Sequence, residues 1–276
     1  MKELLKEILR DKIGRIGLVG VCLVIIIGAL APIVSPYNPV EMFKDSLLEG
    51  PSKKFLLGTD EYGRDIFSRI CYGARVSIFV GLLAVGIGSI FGGILGLIAG
   101  YCEGWIDNVI MRTMDILFAF PSILLSLAIV SVLGTELINT VIAIGVVMIP
   151  VFTRTLRAAV ISTKSKEFIT SAYTIGVKDT RIMFKHILPN AMAPFIVQLT
   201  LSLSSAILVE ASLSFLGLGV QPPNPSWGSM LNASRKFMEL APWTAIFPAA
   251  AIILTILSFN ILGDSLRDIL DPKLKN

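Results

Sequence analysis

The chain has 276 residues, of which 54% are hydrophobic and 16% charged, with a formal net charge of +4 and a mean hydropathy of +0.78. Soluble domains carry roughly 25% charged residues, so this composition excludes an ordinary soluble globular fold and describes an integral membrane protein. The apolar residues fall in six runs near the ~20 residues that a helix needs to cross ~30 Å of hydrocarbon. None alternates in polarity as a barrel strand of ~10 residues would, which leaves an all-helical bundle.

Residues 1–15 form a charged start. Leu4, Leu5, Ile8 and Leu9 share one helical face there, the pattern of a helix lying in the membrane interface, although a plain charged tail fits the same residues. The first span runs from Ile16 to Val34 and stops at Ser35 and Pro36. Ala29, Leu30 and Ala31 make a small-x-small pattern, but the run exceeds the roughly 7 to 15 apolar residues of a signal peptide. Glu3, Glu7 and Asp11 precede it and Pro32 follows the would-be cleavage site, so it reads as a retained span. Residues 35–75 form the first outer loop, where basic and acidic residues balance. Asp60, Arg64 and Asp65 in this loop are candidates for an external gate or for contact with a binding protein. A simple folded lid fits as well.

The second span covers Val76 to Tyr101 and carries a glycine row at 88, 92, 96 and 100, a small-xxx-small pattern that favours close helix packing. The third runs from Met114 to Leu133 and the fourth, rather short, from Leu137 to Phe152; Pro121 and Pro150 are expected to kink or end them. A polar, basic hairpin occupies residues 162–190. The fifth span is Ala191 to Val209 and the sixth Trp243 to Leu262, joined by a second outer loop, 217–242, rich in Gly, Pro and Trp. The organisation is thus an N-terminal segment (1–15), a six-span domain (16–263) and a tail (264–276). Trp227, in the second outer loop, and Glu210, near the outer end of the fifth span, join the external candidates. Capping an external helix is the competing role for Glu210.

Lys2, Lys6, Arg10, Lys12 and Arg15 at the start, and Arg154, Arg157, Lys164, Lys166, Lys178, Arg181 and Lys185 around the hairpin, place both segments in the cytoplasm by the positive-inside rule. An even number of spans puts the tail, with Arg267, Lys273 and Lys275, inside as well. The second-to-third connection agrees less well, with Arg112 set against Glu103, Asp107 and Asp115.

Polar residues within spans are the candidates for a pathway wall: Ser126, Ser131, Gln198, Ser202, Ser204, Ser205, Ser258 and Asn260. Helix packing or bonding to the local backbone competes at each. Cys22, Cys71 and Cys102 form no C-x-x-C pair and read as free thiols. The single histidine, His186, has no neighbour with which to hold a metal. Neither a phosphate-cradling G-x-x-x-x-G-K-[ST] nor H-E-x-x-H or G-x-S-x-G occurs, so no catalytic residue is assigned, and nothing suggests a nucleic-acid partner.

The hairpin is the most informative stretch. Phe168, Ile169, Ala172 and Ile175 fall near one side of a short helix, and Gly176 sits where a left-handed C-cap is needed. Asp179 or Thr180 is placed to cap a second helix through His186, which Pro189 would end before the chain turns back into the membrane. Small residues before a glycine permit close approach by another protein, and the surrounding Lys and Arg keep the element wet. An ordinary interfacial loop helix shows the same periodicity.

Ala172, Gly176, His186, Leu188 and Pro189 stand at the spacing of the E-A-A-x3-G-x9-I-x-L-P loop, which resembles the permease subunits of bacterial ABC importers. Thr170 and Ser171 replace its Glu-Ala pair and His186 its Ile. The ending KHILPN, together with LGTDEYGRDIFSR (57–69), GARVSIFVG (73–81), DNVIMRTMDILFAFPS (107–122), EASLSFLGLGVQPPNPSWGSML (210–231) and FNILGDSLRDILDPKL (259–274), is similar to the dipeptide, oligopeptide and nickel branch, second of its two permeases. The resemblance covers nearly the whole chain past Ser35.

What the resemblance implies is a type I ABC importer permease architecture of six transmembrane helices with a cytoplasmic coupling-helix hairpin, in a bacterial cell membrane. The chain would stand beside a homologous permease, above two ATPases that use ATP and Mg, and beneath an extracytoplasmic substrate-binding protein, with membrane lipid around it and no cofactor of its own. Thr170, Ser171, Ala172, Gly176, Val177, His186 and Pro189 would form the ATPase-docking surface, passing rigid-body motion to the bundle. Dipeptides or oligopeptides are the leading cargo and nickel or a metal chelate the alternative. A secondary transporter would need inverted repeats, which the sequence does not display.

Overall fold

The computed structural model describes residues 2–270, with the side chains of residues 2–5 excepted. The side chains of Leu4 and Leu5 of the expected interfacial face, and Lys273 and Lys275 of the tail, therefore lie outside what is described. The order is α1 (Lys2–Arg10), α2 (Lys12–Ala29), α3 (Ala31–Val34), α4 (Ile66–Cys102), α5 (Gly104–Phe118), α6 (Ser122–Leu133), α7 (Leu137–Lys164), α8 (Glu167–Thr174), α9 (Asp179–Arg181), a π-helical turn Ile182–Ile187, α10 (Leu188–Phe215), α11 (Trp227–Ser234) and α12 (Trp243–Leu270). Among the described residues there is no strand; a single bridge joins Thr59 and Asp65. The protein is an all-α membrane protein. α2, α4, α7, the stretch Asp179–Phe215 and α12 are each long and apolar enough to cross a membrane, and the bent pair α5–α6 makes a sixth crossing if counted as one span.

The helices outrun the apolar runs. α4 has 37 residues, about 55 Å at 1.5 Å per residue, and begins where the Asp65 carboxylate accepts from Ser68 N at 2.8 Å. α7 continues past the apolar run to Lys164, and α12 continues through Asp264 to Leu270. Composition marks where lipid stops, whereas packing decides where the helix stops.

Two prolines with the same expectation behave differently. Pro121 breaks the third span as expected: Met114 to Phe118 belong to α5, Ser122 to Leu133 to α6, and the two helices meet at 89°. Proline has no N–H to donate and pushes the residue before it out of the α region. At Pro150 the span does not end, because α7 continues through that residue to Lys164. Pro150 is buried against neighbours, and packing within a bundle holds helical turns that proline would otherwise open.

The main seam is α4 against α7, the most extensive helix pairing in the molecule. Gly88, Gly92, Gly96 and Gly100 face it: a Cβ at Gly92 would lie 2.5 Å from the Ile149 carbonyl oxygen, and one at Gly96 2.5 Å from that of Thr153. Only hydrogen side chains permit this approach. A second seam joins α2 to α12, where a Cβ on Gly17 would meet the Leu262 backbone nitrogen at 2.6 Å. Asp11 locks its end by accepting from Gly14 N at 2.8 Å and from Ser265 Oγ at 2.9 Å. These contacts hold its carboxyl below the usual range. α1 is more than an interfacial helix, since Ile8 is buried in the apolar cluster with Leu266 while Leu9 stays exposed.

Candidate functional site

The hairpin between α7 and α10 is anchored from below and open above. Ile169, Ile182 and Ile187 are fully buried and Ala172 nearly so, all within the main apolar cluster, against which Val177 also packs. Thr170, Ser171 and Gly176 are exposed on its outer side. The apolar face expected from the sequence is therefore split: Phe168 is half-exposed and Ile175 is 80% exposed. Ile175 thus stands in solvent beside the turn at Gly176.

Gly176 makes the turn. Its φ is +75°; its N–H bonds Tyr173 O at 3.0 Å and that of Val177 bonds Ala172 O at 3.1 Å. This pair of bonds is the Schellman closure, which needs a left-handed residue that glycine adopts without Cβ cost. The expected capping of the second helix by Asp179 or Thr180 is absent. Lys178 is the N-cap and, having no acceptor, makes no side-chain cap bond, while Asp179 accepts from Tyr101 Oη at 2.9 Å.

Pro189 does not end this helix. It lies in the first turn of α10, and the chain is continuous from Asp179 to Phe215. The π-helical turn absorbs it: Leu188 N reaches back five residues to Met183 O, and a widened turn accommodates what an α-turn would not. Asn190 Nδ2 donates to His186 O at 2.8 Å, while the exposed Pro189 and half-buried His186 remain on the hairpin's flank.

Residues that sequence reasoning missed tie this hairpin to the bundle. Tyr173 Oη donates to Tyr101 Oη at 3.0 Å, joining α8 to α4, and Lys164 Nζ bonds Tyr101 O at 2.7 Å and Glu103 at 3.0 Å. Arg157 grips Asp107 with two bonds of 2.5 Å, and Arg154 pairs with Asp115 at 2.7 Å with its guanidinium over the Phe118 ring. The acids that weakened the charge reading of the α4–α5 connection are thus neutralised by cations of α7. Bidentate Arg–carboxylate pairs are the stronger kind. In a double-mutant cycle of Asp107→Asn and Arg157→Gln, thermal unfolding in detergent should give a coupling of about 1–2 kcal/mol; strict additivity would make the pair incidental.

The family described as "Binding-protein-dependent transport system inner membrane component" matches residues 92–276, a region that includes the whole hairpin. This chain belongs to that family. "Dipeptide transport system permease protein DppC" of Alkalihalophilus pseudofirmus is 50% identical over 275 residues, covering 100% of this chain and 90% of that protein. "Di/tripeptide transport system permease protein DppC" of Pseudomonas aeruginosa is 48% identical over 282 residues, covering 100% and 93%. "Glutathione transport system permease protein GsiD" of Pectobacterium atrosepticum is 46% identical over 276 residues, covering 100% and 92%.

Within this permease the pathway candidates scatter. Gln198 lines a cavity of about 450 Å³ between α7, α10 and α12, together with Thr155, Asn190 and Arg267, and donates to the buried Ser202 at 3.0 Å. Ser204 donates to Asn260 at 2.5 Å, joining α10 to α12. Ser131, Ser205 and Ser258 return their hydroxyls to the carbonyls of Leu127, Leu201 and Leu254, and Ser258 also packs on Gly20 of α2. Ser126 is fully buried, and its hydroxyl has no partner among the described residues.

The five external candidates are all buried: Asp60, Arg64, Asp65, Glu210 and Trp227. Asp65 caps α4, Glu210 accepts from Ser77 Oγ at 3.0 Å and Ser214 Oγ at 2.8 Å, and Trp227 donates to Ile70 O at 3.0 Å. Glu210 caps no external helix; α11 is capped by Ser226. In this conformation all five make internal contacts that tie the two loops to α4 and α10.

Proposed function

We propose that this permease is one of two homologous membrane subunits of an ATP-driven importer and forms half of a translocation pathway for dipeptides or oligopeptides. The observation that carries the coupling role is the hairpin's construction, with its underside sealed in the core and its outer face presenting Thr170, Ser171, Ile175 and a left-handed Gly176. A rigid element of this kind transmits force because it cannot yield relative to the bundle. Two ATPases, using ATP and Mg, receive it in a groove on the cytoplasmic side, and a substrate-binding protein delivers cargo outside. Both termini and the hairpin face the cytoplasm, in agreement with the basic residues gathered there.

Cargo is read from the relatives, named for dipeptide, di/tripeptide and glutathione transport, and these names favour a peptide over nickel. The half-polar cavity with Gln198, Asn190 and Arg267 is the portion of the described surface that best suits a cargo with amides and charged ends. The test is uptake in cells lacking this gene, complemented with the wild-type chain. Labelled tripeptide should accumulate and labelled nickel should not; restored nickel uptake without peptide uptake would keep the architecture and overturn the cargo.

A further inference from the structure

At the end of the bundle opposite the hairpin, a cavity of about 400 Å³ opens between the first outer loop and the segment after α10, lined in part by Glu61, Tyr62, Arg64, Arg69, Gln221 and Asn224. Small-ligand sites have volumes of roughly 300–1,000 Å³. Arg64 and Arg69 are only 7% and 5% exposed, and guanidinium groups are almost never so buried without full pairing. A guanidinium carries five N–H donors. Among the described residues the Arg64 guanidinium lies over the Tyr62 ring and donates one hydrogen bond, from Nε to Asp60 at 2.7 Å, and that of Arg69 donates one, from Nη1 to Pro39 O at 2.9 Å.

Arg69 Nε makes no hydrogen bond. Asp60 lies 3.5 Å from it, but the same carboxylate oxygen is already committed to Arg64. The other acid, Glu61, stands 3.6 Å from Arg64. Burial pushes its carboxyl up, and the neighbouring Asp60 adds to that. Two buried guanidinium groups therefore share one closely bonded carboxylate, with Glu61 farther from Arg64, beside open space. Leaving buried N–H donors unbonded is costly, and the planar fork of a guanidinium matches a carboxylate bidentately.

We infer that this cavity is an outer acceptor site for the C-terminal carboxylate of a short peptide, held by terminal guanidinium nitrogens of Arg69 and Arg64. The inference rests on the importer reading above. The rest of the lining suits such a ligand, since Met42, Pro222 and Pro223 give apolar wall while Gln221 and Asn224 offer amides to a peptide backbone.

Asn224 is exposed at this cavity, which makes it a reporter position. In the assembled importer, with Cys22, Cys71 and Cys102 replaced by Ala, Asn224→Cys is treated with anionic and cationic methanethiosulfonates of similar size. The anionic reagent should react about ten-fold faster, because a cavity in which two guanidinium groups outnumber one acid concentrates anions. Alanyl-alanyl-alanine should slow labelling and its C-terminal amide should not. Arg69→Gln should abolish both effects. Should that variant fail to insert, Glu61→Gln keeps the test, since removing the acid should increase the preference for the anionic reagent. Equal rates for the two reagents, or equal protection by peptide and amide, would overturn the site. Protection by the unliganded binding protein but not by free peptide would also overturn it, by assigning the carboxylate to that protein. Tripeptide uptake by the wild-type importer reports on the importer reading separately: protection without uptake supports the site, and uptake without protection refutes it.

Discussion

Replacing Gly176 by Asp is expected to reduce peptide uptake to background while leaving the protein folded and in the membrane. The fold should survive because a Cβ at Gly176 meets nothing within 4 Å, so no internal contact is displaced. What remains is the left-handed backbone, with φ of +75°, which costs a non-glycine residue about 1–2 kcal/mol. Asp is among the residues that visit this region most readily, so the local loss stays near the low end. Function should not survive. The same open space that tolerates the side chain within this chain is where a partner must seat, beside Ile175, and desolvating an unpaired carboxylate there costs several kcal/mol. Gly176→Asn separates charge from shape, since it has nearly the same volume and conformational preference without the charge. Uptake should fall in the order glycine, Asn, Asp at equal membrane levels measured by immunoblot. Normal uptake by the Asp variant would remove the hairpin from the coupling role.

Gly176 was legible in the sequence for a reason that does not extend to most of the site. A left-handed C-cap has one preferred residue, so its signature is local, and the glycine row of α4 is equally local because spacing four apart defines one helix face. Pro121 and Pro150 show the limit. Each sits in an apolar run with the same backbone consequence, and only their packing decides that one breaks the helix and the other does not. Pro189 is a third variation, where a π-turn removes the conflict that a proline creates in an α-helix. The pairing of Asp107 with Arg157 spans 50 positions, and no spacing rule connects residues so far apart. The surroundings of the external candidates were not legible, for a different reason. Charged residues near the outer surface look exposed, yet Asp60 and Arg64 are buried as a local pair four residues apart, and Glu210 is buried against Ser77, a partner 133 positions away that only tertiary structure supplies.

Gly92→Leu should leave no recoverable folded protein, the largest stability effect expected from any single substitution in the α4–α7 seam. The argument turns on what the new atoms would meet. A Cβ at Gly92 lies 2.5 Å from the Ile149 carbonyl oxygen and 2.7 Å from the Phe152 Cβ. Neither is the mobile end of a side chain, so neither can swing aside, and the helices themselves must separate. Even Ala at this position should cost about 1–3 kcal/mol by overpacking. With Leu the separation extends along the seam, because Gly88, Gly96 and Gly100 make the same close approach and lose it together. In lipid there is no hydrophobic drive to hold two helices together once packing is gone. Gly86 is the control on the same helix: a Cβ there meets nothing within 4 Å, so Gly86→Ala should leave expression and detergent melting temperature at wild-type values. Wild-type melting by Gly92→Leu would mean that the seam is not what holds α4 to α7.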